Sequence, residues 1–155
     1  MQRLLWFALA VFFTLSGCTT FSQKEFEGLE ENQLFNKIQI MQQNAISQKQ
    51  YKKIIACYEY YIATHEQKLD RIMEARYEIG YINYYLKNYD AAQKEFRSII
   101  HDYENGGSSY TMEWIYVLSI KLRDQITAIK KEEILKEELK AQKKEARKQK
   151  ASKTN

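Results

Sequence analysis

The stretch 75–103 constrains the fold of this chain more than any other part of it. Its second half places apolar residues at steps of three, four, three, one and three, which is one face of an α-helix: Tyr89, Ala92, Phe96, Ile99, Ile100 and Tyr103. Its first half is apolar nearly all round. Lys87 and Asn88 separate the two halves, and Asn tolerates the left-handed conformation that ends a helix. The stretch therefore predicts two helices packed as a hairpin.

Two small residues predict where these helices approach each other most closely. Ala92 lies on the apolar stripe of the second helix, where a large side chain would push the backbones apart. Gly80 is placed to allow the same close approach from the first helix. We therefore expect close backbone packing at this pair.

The apolar pattern of the second helix occurs once before in the chain. At one constant shift, the set Tyr51, Ile54, Tyr58, Tyr61 and Ile62 matches the set Tyr89, Ala92, Phe96, Ile99 and Ile100 position by position. Repetition at a fixed period of this length indicates stacked helix pairs. The sequence thus predicts an earlier hairpin, with a first helix from about Phe26 and a second from Tyr51 to about His65.

These residues resemble the tetratricopeptide repeat, whose pattern has a small-hydrophobic pair followed by Tyr, Ala and Phe. Ile79-Gly80, Tyr89, Ala92 and Phe96 carry the resemblance in the second repeat. The second repeat departs from the pattern at Asn83, Lys87 and Glu104, and the first repeat at Met41-Gln42 and Ile54. The resemblance implies an all-α fold, a short right-handed α-α solenoid.

A long fifth helix follows the second hairpin in this prediction. The loop 105–109 separates them, and a new apolar stripe then begins near Tyr110: Ile115, Leu118, Leu122, Ile126 and Ile129. Trp114 follows Arg76 by the same shift that relates the two repeats. The new helix therefore resembles the first helix of a third repeat. We expect a helical domain over residues 26–129.

The segment 130–155 is a basic, charged tail. From Ala128 to the end the chain has ten Lys or Arg and five Glu, whereas residues 18–127 have thirteen basic and fifteen acidic residues. A solvated helical extension that frays is one interpretation, and contact with anionic lipid headgroups or an acidic partner is the other. We do not expect the chain to bind nucleic acid.

The segment 1–17 has the order of a secretory signal. Arg3 precedes an apolar run, and Leu15-Ser16-Gly17-Cys18 follows it. A plain cleaved signal and an uncleaved membrane helix are the alternatives, although the run is short of the about 20 residues that a span needs. The ending resembles the bacterial lipobox, which implies that Cys18 becomes the lipid-modified N-terminus, with residues 18–25 as a tether. Thr19 after it implies, by the same resemblance, the periplasmic face of the outer membrane.

The sequence offers no motif for catalysis, for a metal or for a cofactor. His65 and His101 lie in separate repeats near predicted helix C-termini, and neither HExxH, GxSxG nor a glycine-rich phosphate loop occurs. Cys57 is expected to be a buried small hydrophobe rather than a reactive thiol. We therefore expect neither an enzyme nor a small-molecule substrate.

Twelve tyrosines are the outlier of the composition. Tyr77, Tyr81 and Tyr84, spaced by four and three, lie on one face of a predicted helix. By resemblance to tetratricopeptide arrays they line a concave groove, and as aromatic anchors they would bind a partner protein. The alternative is that the rings fill space between stacked helices.

The loop 65–70 followed by Glu74-Ala75-Arg76-Tyr77 resembles the BamD-type outer-membrane assembly lipoproteins. This resemblance implies a scaffold that binds other envelope proteins and takes part in outer-membrane protein assembly. The alternative is a structural envelope lipoprotein whose basic tail bridges to an anionic membrane or an acidic envelope partner.

The N-terminal pattern makes a direct prediction about processing. Cys18→Ala should yield a protein that is released or left unprocessed, because the thiol that carries the lipid is gone. Mass spectrometry of the mature wild-type N-terminus is the measurement. An unmodified mature N-terminus, at Cys18 or elsewhere, would contradict the prediction.

Overall fold

The computed structural model describes residues 23–65, 69–106 and 112–153. Within these ranges the chain forms five α-helices and no strand, which confirms the expected all-α fold. The helices are α1 (Glu31–Gln43), α2 (Gln48–Thr64), α3 (Leu69–Tyr85), α4 (Tyr89–Glu104) and α5 (Glu113–Lys153). The predicted signal sequence and Cys18 lie outside the described residues.

Helix α1 begins later than the apolar pattern predicted. Phe26 is buried, but Gly28 has a φ of +78°, which interrupts a helix there. Helix α2 begins earlier than predicted because Ser47 caps it: the Gln50 amide donates to the Ser47 hydroxyl at 3.3 Å, and the Gln50 side chain accepts from the Ile46 amide at 2.9 Å. This is a variant of the Ser-x-x-Gln capping box, which the sequence reading missed.

The chain divides into two compact units, Met1–Tyr60 and Tyr61–Asn155. In the first unit, α1 packs on α2 through the edge of Phe35 against Tyr58, with ring centroids 5.8 Å apart. The Tyr58 hydroxyl donates to the Gln42 side chain at 2.9 Å. Cys57 is fully buried, as expected, and burial raises the pKa of its thiol to about 11.

The last residues of the expected tether belong to the first unit. Gln23–Glu25 is a turn of 3-10 helix. Lys37 donates to the Glu25 carbonyl oxygen at 2.7 Å, and the Lys53 ammonium lies 3.2 Å from the Glu25 carboxylate. Glu25 is therefore held by both helices of this unit.

The second unit is built on the close contact that the small residues predicted. Ala92 is fully buried in the hydrophobic core of this unit. At Gly80 a side-chain methyl group would lie 2.7 Å from the Phe96 ring. Only a residue without a side chain lets the ring of Phe96 lie against α3 in this way.

The turn between α3 and α4 corrects one part of the sequence reading. Lys87, not Asn88, adopts the left-handed conformation, with a φ of 61°. Asn88 instead makes two hydrogen bonds to Asn83. Its backbone N–H donates to the Asn83 backbone carbonyl oxygen at 2.8 Å, and its side-chain Nδ2 donates to the Asn83 side-chain Oδ1 at 3.3 Å. Asn83 is buried, so the residue that departs from the repeat pattern is the one that holds the turn.

Helix α5 packs on α3 and α4 through its predicted stripe. Ile115, Leu122 and Ile126 are buried, while Leu118 and Ile129 are half-buried. A polar seam continues the contact with α4, where Gln93 donates to the Thr127 hydroxyl and accepts from Lys130, both at 3.1 Å. From residue 131 to residue 149 every side chain is exposed, and the helix continues to Lys153.

Candidate functional site

The structure separates the three tyrosines that the sequence grouped as a partner-binding surface. Tyr77 is 9% exposed, Tyr84 is half-buried and Tyr81 is 44% exposed. They share one face of α3, as their spacing predicted, but this face is not free along its length. Helix α5 lies over part of it, and each ring therefore has a different role.

Tyr77 belongs to the core of the second unit. Its ring lies 6.1 Å from the ring of Phe96 and 5.6 Å from that of Trp114. Burial raises the pKa of its hydroxyl to about 12, and the nearby Glu78 carboxylate contributes. Tyr77 therefore does not line an open groove by itself, because Trp114 of α5 covers this part of the face.

Tyr84 helps to hold α5 against the hairpin. Its hydroxyl donates to the Gln125 side-chain oxygen at 3.4 Å, and its ring lies 6.1 Å from that of Tyr89. These contacts link α3, α4 and α5. A structural role therefore accounts for its position.

Trp114 is the residue that sequence reasoning did not assign to the site. Its ring meets Tyr77 edge to face, while Tyr81 stacks on Tyr77 with centroids 6.3 Å apart and ring planes 20° apart. Trp114 is 48% exposed and Tyr81 is 44% exposed. We call Tyr81, Tyr77 and Trp114 the aromatic strip. One feature of the sequence could have pointed to Trp114: this large aromatic residue lies beside the apolar stripe of its helix rather than on it.

The aromatic strip has two exposed rings on a buried support. Among the described residues, the Tyr81 hydroxyl and the Trp114 indole N–H have no hydrogen-bond partner. Val117, 52% exposed, follows Trp114 by three positions on the same side of α5. The arrangement can pack an apolar side chain and form hydrogen bonds at its edges.

A cleft of about 460 Å³ lies elsewhere in the second unit. Apolar side chains line it together with Arg76, His101 and Asp102. The Arg76 guanidinium donates to the Asp102 carboxylate at 2.6 Å and to the Ser98 hydroxyl at 2.9 Å. His101 Nδ1 lies 3.4 Å from the other Asp102 carboxylate oxygen, so Asp102 contacts both basic side chains of the cleft.

The histidines lie near helix C-termini, as predicted. The His65 ring stacks on Tyr61 at 4.6 Å just after α2, and His101 lies in the last turn of α4. Within the described ranges no group of three or more His, Cys, Asp or Glu is placed to hold a metal ion. No helix in those ranges is both long and apolar enough to cross a membrane.

Comparisons with known proteins gave no relatives for this chain. No family model matches it, and neither the curated proteins nor the solved structures contain a match.

The raised pKa of the Tyr77 hydroxyl predicts a pH dependence of stability. In the unfolded chain its pKa is near 10.0, and in the fold it is about 12, so the folded state keeps a proton that the unfolded state loses. This stabilisation is complete below about pH 10 and is lost as the pH rises to about 12, at about 1.4 kcal/mol per pKa unit.

The measurement is urea unfolding between pH 9 and pH 12. The range begins about one unit below the pKa of the unfolded chain and ends near the pKa in the fold. Tyr77→Phe should flatten the fall in the free energy of unfolding, whereas the exposed control Tyr81→Phe should follow the wild type. Equal slopes for the wild type and Tyr77→Phe would contradict the placement of this ring.

Proposed function

We propose that this chain is a lipid-anchored scaffold that faces the periplasm and binds other proteins of the bacterial cell envelope through the aromatic strip. The observation that carries the proposal is the pair of exposed rings, Tyr81 and Trp114, supported from below by buried Tyr77. Tyr and Trp are the residues that most often dominate protein-binding energetics. Their support on a packed core reduces the entropy that binding would otherwise cost.

The tetratricopeptide-like nature of the repeats is part of this proposal. Four of the five matched repeat positions have the same burial in α2 and α4. Ile54, Tyr58 and Tyr61 are buried like Ala92, Phe96 and Ile99, and Tyr51 is half-buried like Tyr89, whereas Ile62 is half-buried and Ile100 is buried. Equal burial at matched positions is what a duplicated helix pair would give. Repeat folds of this kind present surfaces to proteins rather than enclosing small metabolites.

The anchor and the location rest on the N-terminal sequence. The Leu15-Ser16-Gly17-Cys18 ending supports lipid attachment at Cys18, and Thr19 supports the outer membrane. The resemblance to BamD-type lipoproteins supports a role in outer-membrane protein assembly. On this proposal the chain is not an enzyme, takes no cofactor and has protein partners.

The proposal predicts that a partner touches the aromatic strip in the cell. A photocrosslinking amino acid at Val117, one turn from Trp114, should form a discrete adduct with an envelope protein. Tyr81→Ala and Trp114→Ala should each lower the yield of that adduct, because truncating a binding hot spot costs about 2 kcal/mol or more, or roughly 30-fold in affinity.

Leu139→Ala is the matched control, since Leu139 is also exposed and apolar but lies further along α5. It should leave the adduct unchanged. Melting temperatures of all variants separate lost binding from lost folding. An adduct that survives both Tyr81→Ala and Trp114→Ala in folded protein would overturn the aromatic strip as the binding surface.

A further inference from the structure

Five basic side chains form a continuous row on the exposed half of α5. Their spacings of three, one, three and one positions place them on one face of the helix: Lys140, Lys143, Lys144, Arg147 and Lys148. All five are exposed, and together they line one shallow surface. We call this row the basic stripe.

Little on the described protein neutralises the basic stripe. Lys140 pairs with Glu137 at 2.8 Å, and the nearby Glu132 pairs with Lys136 at 2.7 Å. The remaining four cations have no carboxylate within ion-pair distance among the described residues. Glu145 is the one acidic residue in the segment 139–149, and at about 100° per residue it lies roughly 130° around the helix from the centre of the stripe.

The basic stripe continues the face through which α5 binds its own hairpin. Leu122, Ile126 and Ile129 lie on that face, and about five helical turns later the same face carries Lys140, Lys144 and Arg147. The first half is fixed by its packing and by the ion pair between Lys130 and Asp90. The basic stripe therefore lies on a helix whose first half is packed against the hairpin of the second unit.

The surroundings of the stripe decide which partner fits it. A helix that docks in a protein groove uses large apolar anchors at helical spacing. From Lys140 onward the described segment has none, and the exposed Ile134, Leu135 and Leu139 before it lie roughly 110° or more around the helix from the centre of the stripe. A row of ammonium and guanidinium groups without such anchors suits a flat array of phosphates, which it contacts without insertion.

We propose that the basic stripe binds the anionic headgroups of a phospholipid membrane. The choice of lipid over an acidic protein rests on the proposed lipid anchor, which would keep the chain beside headgroups. The stripe then acts as a second, electrostatic membrane contact and orients the second unit relative to the bilayer surface.

The test compares partitioning of the full chain onto vesicles of phosphatidylcholine alone and with about 30% phosphatidylglycerol. Whatever the apolar N-terminal segment contributes is common to both lipids, so the ratio of the two partition coefficients reports the stripe. The ratio should exceed about 10 and should collapse as salt rises from about 0.1 M to about 1 M, where the Debye length falls to about 3 Å.

Two variants with equal loss of charge make the test specific. Changing Lys143, Lys144, Arg147 and Lys148 to Gln should bring the ratio close to one, while the same change at exposed positions off the stripe, Lys52, Lys94, Arg97 and Lys121, should leave it high. Circular dichroism should show both variants helical, because Gln is a good helix former.

A wild-type ratio near one, or equal losses in the two variants, would overturn the stripe as a lipid contact. Mass spectrometry of the mature N-terminus reports the anchor independently. If the mature N-terminus carries no lipid but the ratio of partition coefficients is high, the proposed function is refuted, while the basic stripe still stands as a lipid contact.

Discussion

The missing side chain at Gly80 is the constraint on which the second unit depends. Because nothing projects from this position, the Phe96 ring lies against α3, where a methyl group would be only 2.7 Å away. The Phe96 ring contacts Tyr77, and Tyr77 in turn supports both Trp114 and Tyr81. The exposed rings that we propose as a binding surface are thus positioned by a contact between two helices of the core.

Helix α5 links this core to the proposed membrane contact. Its first half packs on the hairpin through apolar residues and brings Trp114 beside Tyr77. Its second half carries the same helical face into solvent as a row of cations. One helix therefore carries both a ring of the aromatic strip and the basic stripe within one unit, so the orientation of one relative to the other is set by the fold.

Much of this architecture could be predicted because helical periodicity is local. The stripes of α4 and α5 and the close contact at Gly80 follow from spacing and side-chain size alone. The site was harder, since burial of Tyr77 depends on where α5 packs, and spacing on α3 carries no information about that. The left-handed turn residue was misassigned for a similar reason: Asn88 is engaged with buried Asn83, which leaves Lys87 to take the strained conformation.

A double-mutant cycle on Gly80→Ala and Phe96→Leu, measured by urea unfolding, tests the central contact most directly. In an open helix Gly→Ala would stabilise by about 1 kcal/mol, but here the methyl group meets a buried ring, so the single variant should lose about 1–3 kcal/mol. The smaller Leu side chain should accept that methyl group, so the double variant should be more stable than the sum of the single changes predicts. Stabilisation by Gly80→Ala alone, or strict additivity of the two changes, would contradict the account.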